Sequence, residues 1–92
     1  MSTSKFRAGD LSITKKAKRA MASNHVQADA LLARHLRGDW GDTDEVSKRN
    51  NDMALSRGGA LRSGYLPPDG KSIWIITGAE RNSTIIMLPE DY

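Results

Sequence analysis

Two histidines, a few hydroxyls and a cluster of carboxylates around a tryptophan are the residues of this chain that could do chemistry. His25 and His35 stand ten residues apart, which fits no helical metal pair of the HExxH kind, where the ligands sit one turn apart. His35 falls on or beside an apolar helical stripe. A core histidine with both ring nitrogens hydrogen-bonded is the expected role there, not a ligand. Ser63, Ser83 and Thr84 lie in strand-like segments, without the glycine-flanked elbow that lifts a nucleophile out of a sheet. Asp39 and Asp42 flank Trp40, and paired carboxylates can hold a hard cation. Capping and loop hydrogen bonds use the same residues, so no metal is expected. Gly58-Gly59 follows a helix and does not open one, so it is no phosphate loop. The chain has no cysteine, which removes disulfides, thiol nucleophiles and cysteine zinc sites together. The expectation is a protein without catalysis and without a cofactor.

The elements that position these residues follow from periodicity. Ile13, Ala17, Ala20 and Met21 have helical spacing, predicting a first helix over about 13–22. Asn24 is placed to cap a second helix with an apolar stripe of Ala28, Leu31, Leu32, His35 and Leu36, ended by Gly38. The short link between the two predicts a helical hairpin. Asp42 followed by Glu45 reads as the capping box of a third helix, with Val46, Asn50, Met53 and Ala54 facing inward and Gly58-Gly59 stopping it. From Ala60 the period becomes two. Pro67-Pro68-Asp69-Gly70 is a hairpin turn between strands 60–66 and 71–77, and a second turn at 78–82 leads to a third strand over 83–88. The expected fold is α+β: a helical hairpin and a third helix packed on a three-stranded antiparallel meander. One sheet face is expected to carry Trp74, Ile76, Ile86 and Leu88, and the other Ile73, Ile75, Ile85 and Met87. Both are apolar, so the face the helices do not cover is packed by the N-terminal segment or meets a partner.

Ninety-two residues allow one domain, taken as 11–92 behind a flexible basic segment, 1–10. The longest apolar run, Ile73-Trp74-Ile75-Ile76, is far too short to span a bilayer. With a charged N-terminus and no secretory pattern, the chain is expected in the cytoplasm. Its net charge of +3 is unevenly distributed. Lys5, Arg7, Lys15, Lys16, Lys18 and Arg19 face a single acid, Asp10, within the first 19 residues. These six cations are the candidate nucleic-acid contacts, suited to phosphates rather than base edges.

The run Arg34-His35-Leu36-Arg37-Gly38-Asp39-Trp40-Gly41-Asp42 resembles one in a group of small proteins carried by bacterial plasmids and integrative elements. So do Asn51-Asp52, the stretch from Asp69 to Thr77, and the tail Leu88-Pro89-Glu90-Asp91-Tyr92, so that the likeness spans roughly residues 28–92. Gly78 stands where that group usually carries an acid. The resemblance implies a setting on mobile DNA and not an activity, and the departure at Gly78 bears on the neighbouring Glu80–Arg81 turn as a shared binding surface.

Small non-enzymatic proteins of mobile elements commonly blunt host nucleases, as anti-CRISPR and anti-restriction proteins do. By that analogy the leading expectation is an inhibitor that binds a host protein complex, a CRISPR or restriction nuclease. Its candidate contacts are Asp39, Trp40, Asp42, Asp44, Glu45, Glu80 and Arg81, with Asp52 extending the acidic stretch. The alternatives are a DNA-binding accessory protein using the basic first helix, and a homodimer formed through the open sheet face.

Overall fold

The computed structural model describes residues 4–68 and 72–92. Asp69, Gly70 and Lys71, and with them part of the proline-led turn, lie outside the described residues. The chain runs β1 (Asp10–Ile13), α1 (Lys15–Ser23), α2 (Ala28–Leu36), α3 (Glu45–Arg57), β2 (Leu61–Tyr65), β3 (Ile73–Thr77), β4 (Ser83–Met87) and a final 3-10 turn, Pro89–Asp91. The fold is α+β, as expected, with three helices.

The sheet has four strands and is mixed, where three antiparallel strands were expected. Its order is β1-β4-β3-β2, with β1 parallel to β4 and the other pairs antiparallel. Only Leu11 and Ile13 are apolar in β1, and its partner lies some 70 residues away, so no local turn or alternation announces it. Ile13 therefore belongs to a strand. The first helix starts after Thr14, whose Oγ1 accepts from the Ala17 N–H. Residues 4–9, assigned to a flexible segment, make defined contacts: Lys5 N–H donates to the Leu36 carbonyl at 2.7 Å and Phe6 packs on Trp40. Asn24 caps the end of α1 instead of the start of α2, its side chain donating to the Ala20 carbonyl.

The register of β3 against β4 corrects the expected faces. Trp74 pairs with Met87, Ile75 with Ile86, Ile76 with Ile85 and Thr77 with Thr84. Paired residues share a face, so Ile73, Ile75, Thr77, Thr84, Ile86 and Leu88 point one way, and Trp74, Ile76, Ile85 and Met87 the other. A one-residue slip exchanges every side chain. The loop 78–82 sets the register, with Arg81 at φ 60° and the Gly78 N–H donating to the Ser83 carbonyl. All buried helical side chains lie on the first face. Ala17, Ala20, Met21 and Leu31 pack with Tyr65, Ile73, Ile75, Ile86 and Leu88. A smaller cluster joins Trp40, Ala54 and Leu61.

The third helix is turned from its expected orientation. Its cap is Asp44, which accepts from the Ser47 N–H at 2.8 Å. Val46, Asn50 and Met53 are exposed, whereas Asn51 and Ala54 are buried. Asn51 turns inward because β2 is an edge strand whose outward backbone groups need partners. Its amide donates to the Arg62 carbonyl at 2.8 Å and its carbonyl accepts the Arg62 N–H at 3.1 Å. Further along, the Gly64 N–H donates to the Trp40 carbonyl, the Asp42 N–H donates to the Gly64 carbonyl, and the Leu66 N–H donates to Asp42 Oδ2. Gly41, at φ 75°, lies so close to Gly64 and Tyr65 that any Cβ would collide with them. One side of the sheet is thereby sealed.

Asn51→Ala should cost about 2 kcal/mol in urea unfolding, since it strips both partners from the Arg62 peptide groups. A change below about 0.5 kcal/mol would mean that water replaces the amide.

Candidate functional site

His35 is fully buried at the centre of the molecule. Its Nδ1 lies 2.5 Å from Ser63 Oγ on β2, and its Nε2 lies 2.9 Å from Thr77 Oγ1 on β3. Thr77 Oγ1 is 2.7 Å from Thr84 Oγ1 on β4, which in turn donates to the Ala8 carbonyl at 2.8 Å. A carbonyl only accepts and each hydroxyl has one proton to give. Thr84 therefore donates to Ala8, Thr77 to Thr84, His35 Nε2–H to Thr77, and Ser63 to Nδ1. The order fixes a proton on Nε2, and burial, which disfavours the charged ring, leaves Nδ1 to accept from Ser63. Phe6 and Trp40 stand edge-on to it with centroids at 5.2 and 5.8 Å. Burial, aided by the charge of Arg81, pushes the His35 pKa down to about 4. A serine hydroxyl on an imidazole resembles a nucleophile and its base, but Ser63 and Thr77 are as buried as His35. No substrate atom reaches this pair. Among the described residues no group of three or more metal-ligating side chains converges.

The acidic stretch is distributed over separate structural tasks. Asp39 accepts from Arg34 at 2.7 and 3.3 Å and from the Gly41 N–H, and the guanidinium holds its carboxyl below the usual range. Arg34 also lies over the Tyr65 ring at 4.6 Å, and the Tyr65 hydroxyl donates to the Asp39 carbonyl at 2.7 Å. Burial pushes that phenol up to about 12. Trp40 is 4% exposed, and its indole N–H donates to Asp52 Oδ1 at 3.0 Å. Asp42 serves the sheet edge and Asp44 caps α3. Glu45 remains outward, within 3.8 Å of Lys48, and Glu80 accepts from the Asn82 amide on the exposed turn. Arg81 is an anchor. Its guanidinium donates to the carbonyls of Gly59 at 2.6 Å, Gly78 at 3.0 Å and Ala54 at 3.1 Å. Each of the seven expected protein contacts thus has an internal partner, and only those of Glu45 and Glu80 are weak surface contacts.

The six basic residues behave differently. Lys5, Arg7, Lys15, Lys16, Lys18 and Arg19 are all exposed. Among the described residues only Lys16 of these forms an ion pair, with Glu90 at 3.1 Å. Thr14 and Asp91 add a neighbouring tie, the hydroxyl donating to the carboxylate at 2.7 Å, which draws the start of α1 to the C-terminal turn.

The second sheet face has no helix on it. Trp74, Ile76 and Ile85 are half-buried there and Met87 is buried. Arg62 lies over the Trp74 ring at 4.7 Å, and Tyr92 meets it edge-on at 6.0 Å. From the sequence, Ser63 and Thr84 are strand hydroxyls and Asn51 part of a shared motif, but none of them, nor Thr77, is assigned a place around His35 or at the sheet edge. Three hydroxyls at buried strand positions, in register with apolar neighbours, are the signal that points to a polar layer around His35. Neither family models, curated proteins nor solved structures give a match to this chain.

The His35 geometry predicts a particular pH dependence. The folded state refuses a proton that the unfolded chain accepts below about 6.5. Stability is therefore intact above that value and falls as pH drops towards 4, by about 3 kcal/mol in all. Chemical denaturation at a series of pH values measures it. His35→Leu should be less stable at pH 7 and nearly flat between pH 6.5 and 4.5. An unchanged slope in that variant would assign the effect to other groups.

Proposed function

We propose that this chain is a non-catalytic accessory protein of a mobile genetic element that acts by binding a protein partner, best matched by a host CRISPR or restriction nuclease complex. The observation that carries the reading is the open sheet face. Trp74, Ile76 and Ile85 form an apolar strip, ringed by Arg62 and Tyr92, on a small domain whose helices all pack on the other side. Such strips mark interaction surfaces. The internal engagement of His35, Ser63, Asp39 and Arg81 also supports it, because the groups with chemical capacity are already used in holding the fold. The choice of a nuclease target comes from the resemblance to plasmid and integrative-element proteins, and a cytoplasmic setting belongs to the same reading. Among the described residues no helix is long and apolar enough to cross a membrane.

The unpaired cations of α1 favour a second reading, contact with DNA phosphates. Lys15, Lys18 and Arg19 stand together on one short helix without an ion pair among the described residues, while most of the described acids are occupied. This contact would be largely independent of sequence, because the cations of α1 suit phosphates and no asparagine or glutamine stands within the helix beside them.

Two assays separate these readings. Added to reconstituted nuclease complexes, the protein should co-elute and suppress cleavage in proportion to its amount. Ile76→Glu with Ile85→Glu should abolish both effects while leaving the protein folded. Absence of co-elution at micromolar protein, with cleavage unchanged, would remove the inhibitor reading. Anisotropy of a labelled duplex gives the second test. A log–log salt slope of about −0.9 per phosphate contact, lost in the Lys15→Gln, Lys18→Gln, Arg19→Gln variant, would establish the DNA reading.

A further inference from the structure

The two edges of the sheet are treated in opposite ways. On the β2 side every outward backbone group from Arg62 to Gly64, and the Leu66 N–H, has a partner. On the β1 side, the Asp10 N–H donates to Asn82 and the Thr14 N–H to Ile86 in the neighbouring strand. Alternation along a parallel ladder then turns the N–H and C=O of Leu11 and Ile13 outward. Among the described residues nothing bonds to them. The Leu11 side chain on that edge is 42% exposed; β1 is short and begins with the exposed Asp10, but among the described residues it carries no proline or inward charge and no segment is hydrogen-bonded along its outer side. We infer that β1 is a docking edge that takes an extended, acidic segment of the partner protein as a fifth strand.

Charge chooses the occupant. Arg7 precedes β1 and Lys15, Lys18 and Arg19 follow it, all exposed and without ion pairs among the described residues. A second copy would bring two such basic segments edge to edge and meet like-charge repulsion. A strand carrying carboxylates meets the opposite sign at both ends, while its backbone supplies the four hydrogen bonds that Leu11 and Ile13 offer. This inference rests on the protein-binding reading and gives it a chemistry. It is tested without any nuclease, so that its failure and the failure of the inhibitor assay are distinct events.

The test uses the full chain, isotopically labelled, and a blocked octapeptide of alternating glutamate and valine. On titration the Leu11 and Ile13 amides, fast to exchange in the free protein, should become protected, while Ser12, already facing β4, changes little. The lysine–valine octapeptide should bind at least about tenfold more weakly at low salt. Leu11→Pro removes an outward N–H and no internal bond, a change edge strands tolerate, and should reduce binding by about tenfold or more. Should that variant fail to fold, Arg7→Glu with Lys15→Glu, both on the surface, should weaken the acidic peptide and strengthen the basic one. Equal affinity for both peptides would overturn the proposal. So would binding that leaves the Leu11 and Ile13 amides unprotected, or concentration-dependent protection of these amides in the protein alone, which would give the edge to a second copy.

Discussion

The carbonyl of Ala8 can only accept, and the polarity of a whole row of hydrogen bonds follows from it. Thr84, Thr77, His35 and Ser63 each have one proton to give in that row, and each gives it in the direction that Ala8 sets. The row ties the N-terminal segment to β4, β3, α2 and β2 in turn. These are elements the chain brings together from positions 8 to 84, and most of the apolar core lies around them. A polar layer in so small a core is stabilising only when every member is satisfied, since one orphaned group costs about 1–3 kcal/mol. Here no buried side-chain polar atom among the described residues lacks a partner.

Arg81 performs a matching task beside that row, on the other side of Phe6. Its left-handed backbone shapes the β3–β4 turn. Its guanidinium gathers carbonyls from the end of α3, from Gly59 and from the turn itself, and lies over Phe6 at 5.7 Å. Together with Asn51 and Asp42, these contacts close the β2 side of the sheet. What the described residues leave without a helix or a hydrogen-bonded neighbour is one half-buried sheet face, one sheet edge and the cations beside that edge. Binding capacity is therefore concentrated where the internal bonding stops.

Much of the architecture was legible in the sequence. The period-two segments around Tyr65, Ile75 and Ile86 located three strands, and the stripe of α2 placed His35 in the core. Trp40 holds its loop against the body through Ala54 and Leu61. The rest was hidden for physical reasons. The β1 strand has two apolar residues and a partner remote in sequence, so neither period nor turn betrays it. The inward face of α3 is set by an asparagine serving a strand edge, which an apolar-periodicity argument passes over. The β3–β4 register depends on the conformation of the 78–82 loop, and one residue there exchanges the two faces. In the candidate site, residue type misled in one direction. Asp39, Asp42, Asp44 and Arg81 carry charge, but capping, edge closure and turn anchoring claim it, and only the packed structure reveals those tasks.

The central claim is that the residues with the greatest chemical capacity hold the fold, with His35 first among them. Ring-nitrogen NMR of selectively labelled histidine, followed from pH 8 to pH 5, tests it most directly. His35 should remain neutral throughout, with the proton on Nε2, Nδ1 as acceptor, and an N–H signal that survives exchange with water. Titration of His35 near about 6.5, the value of a free side chain, or a proton resident on Nδ1, would contradict it. Either result would return the ring to the set of groups available for chemistry.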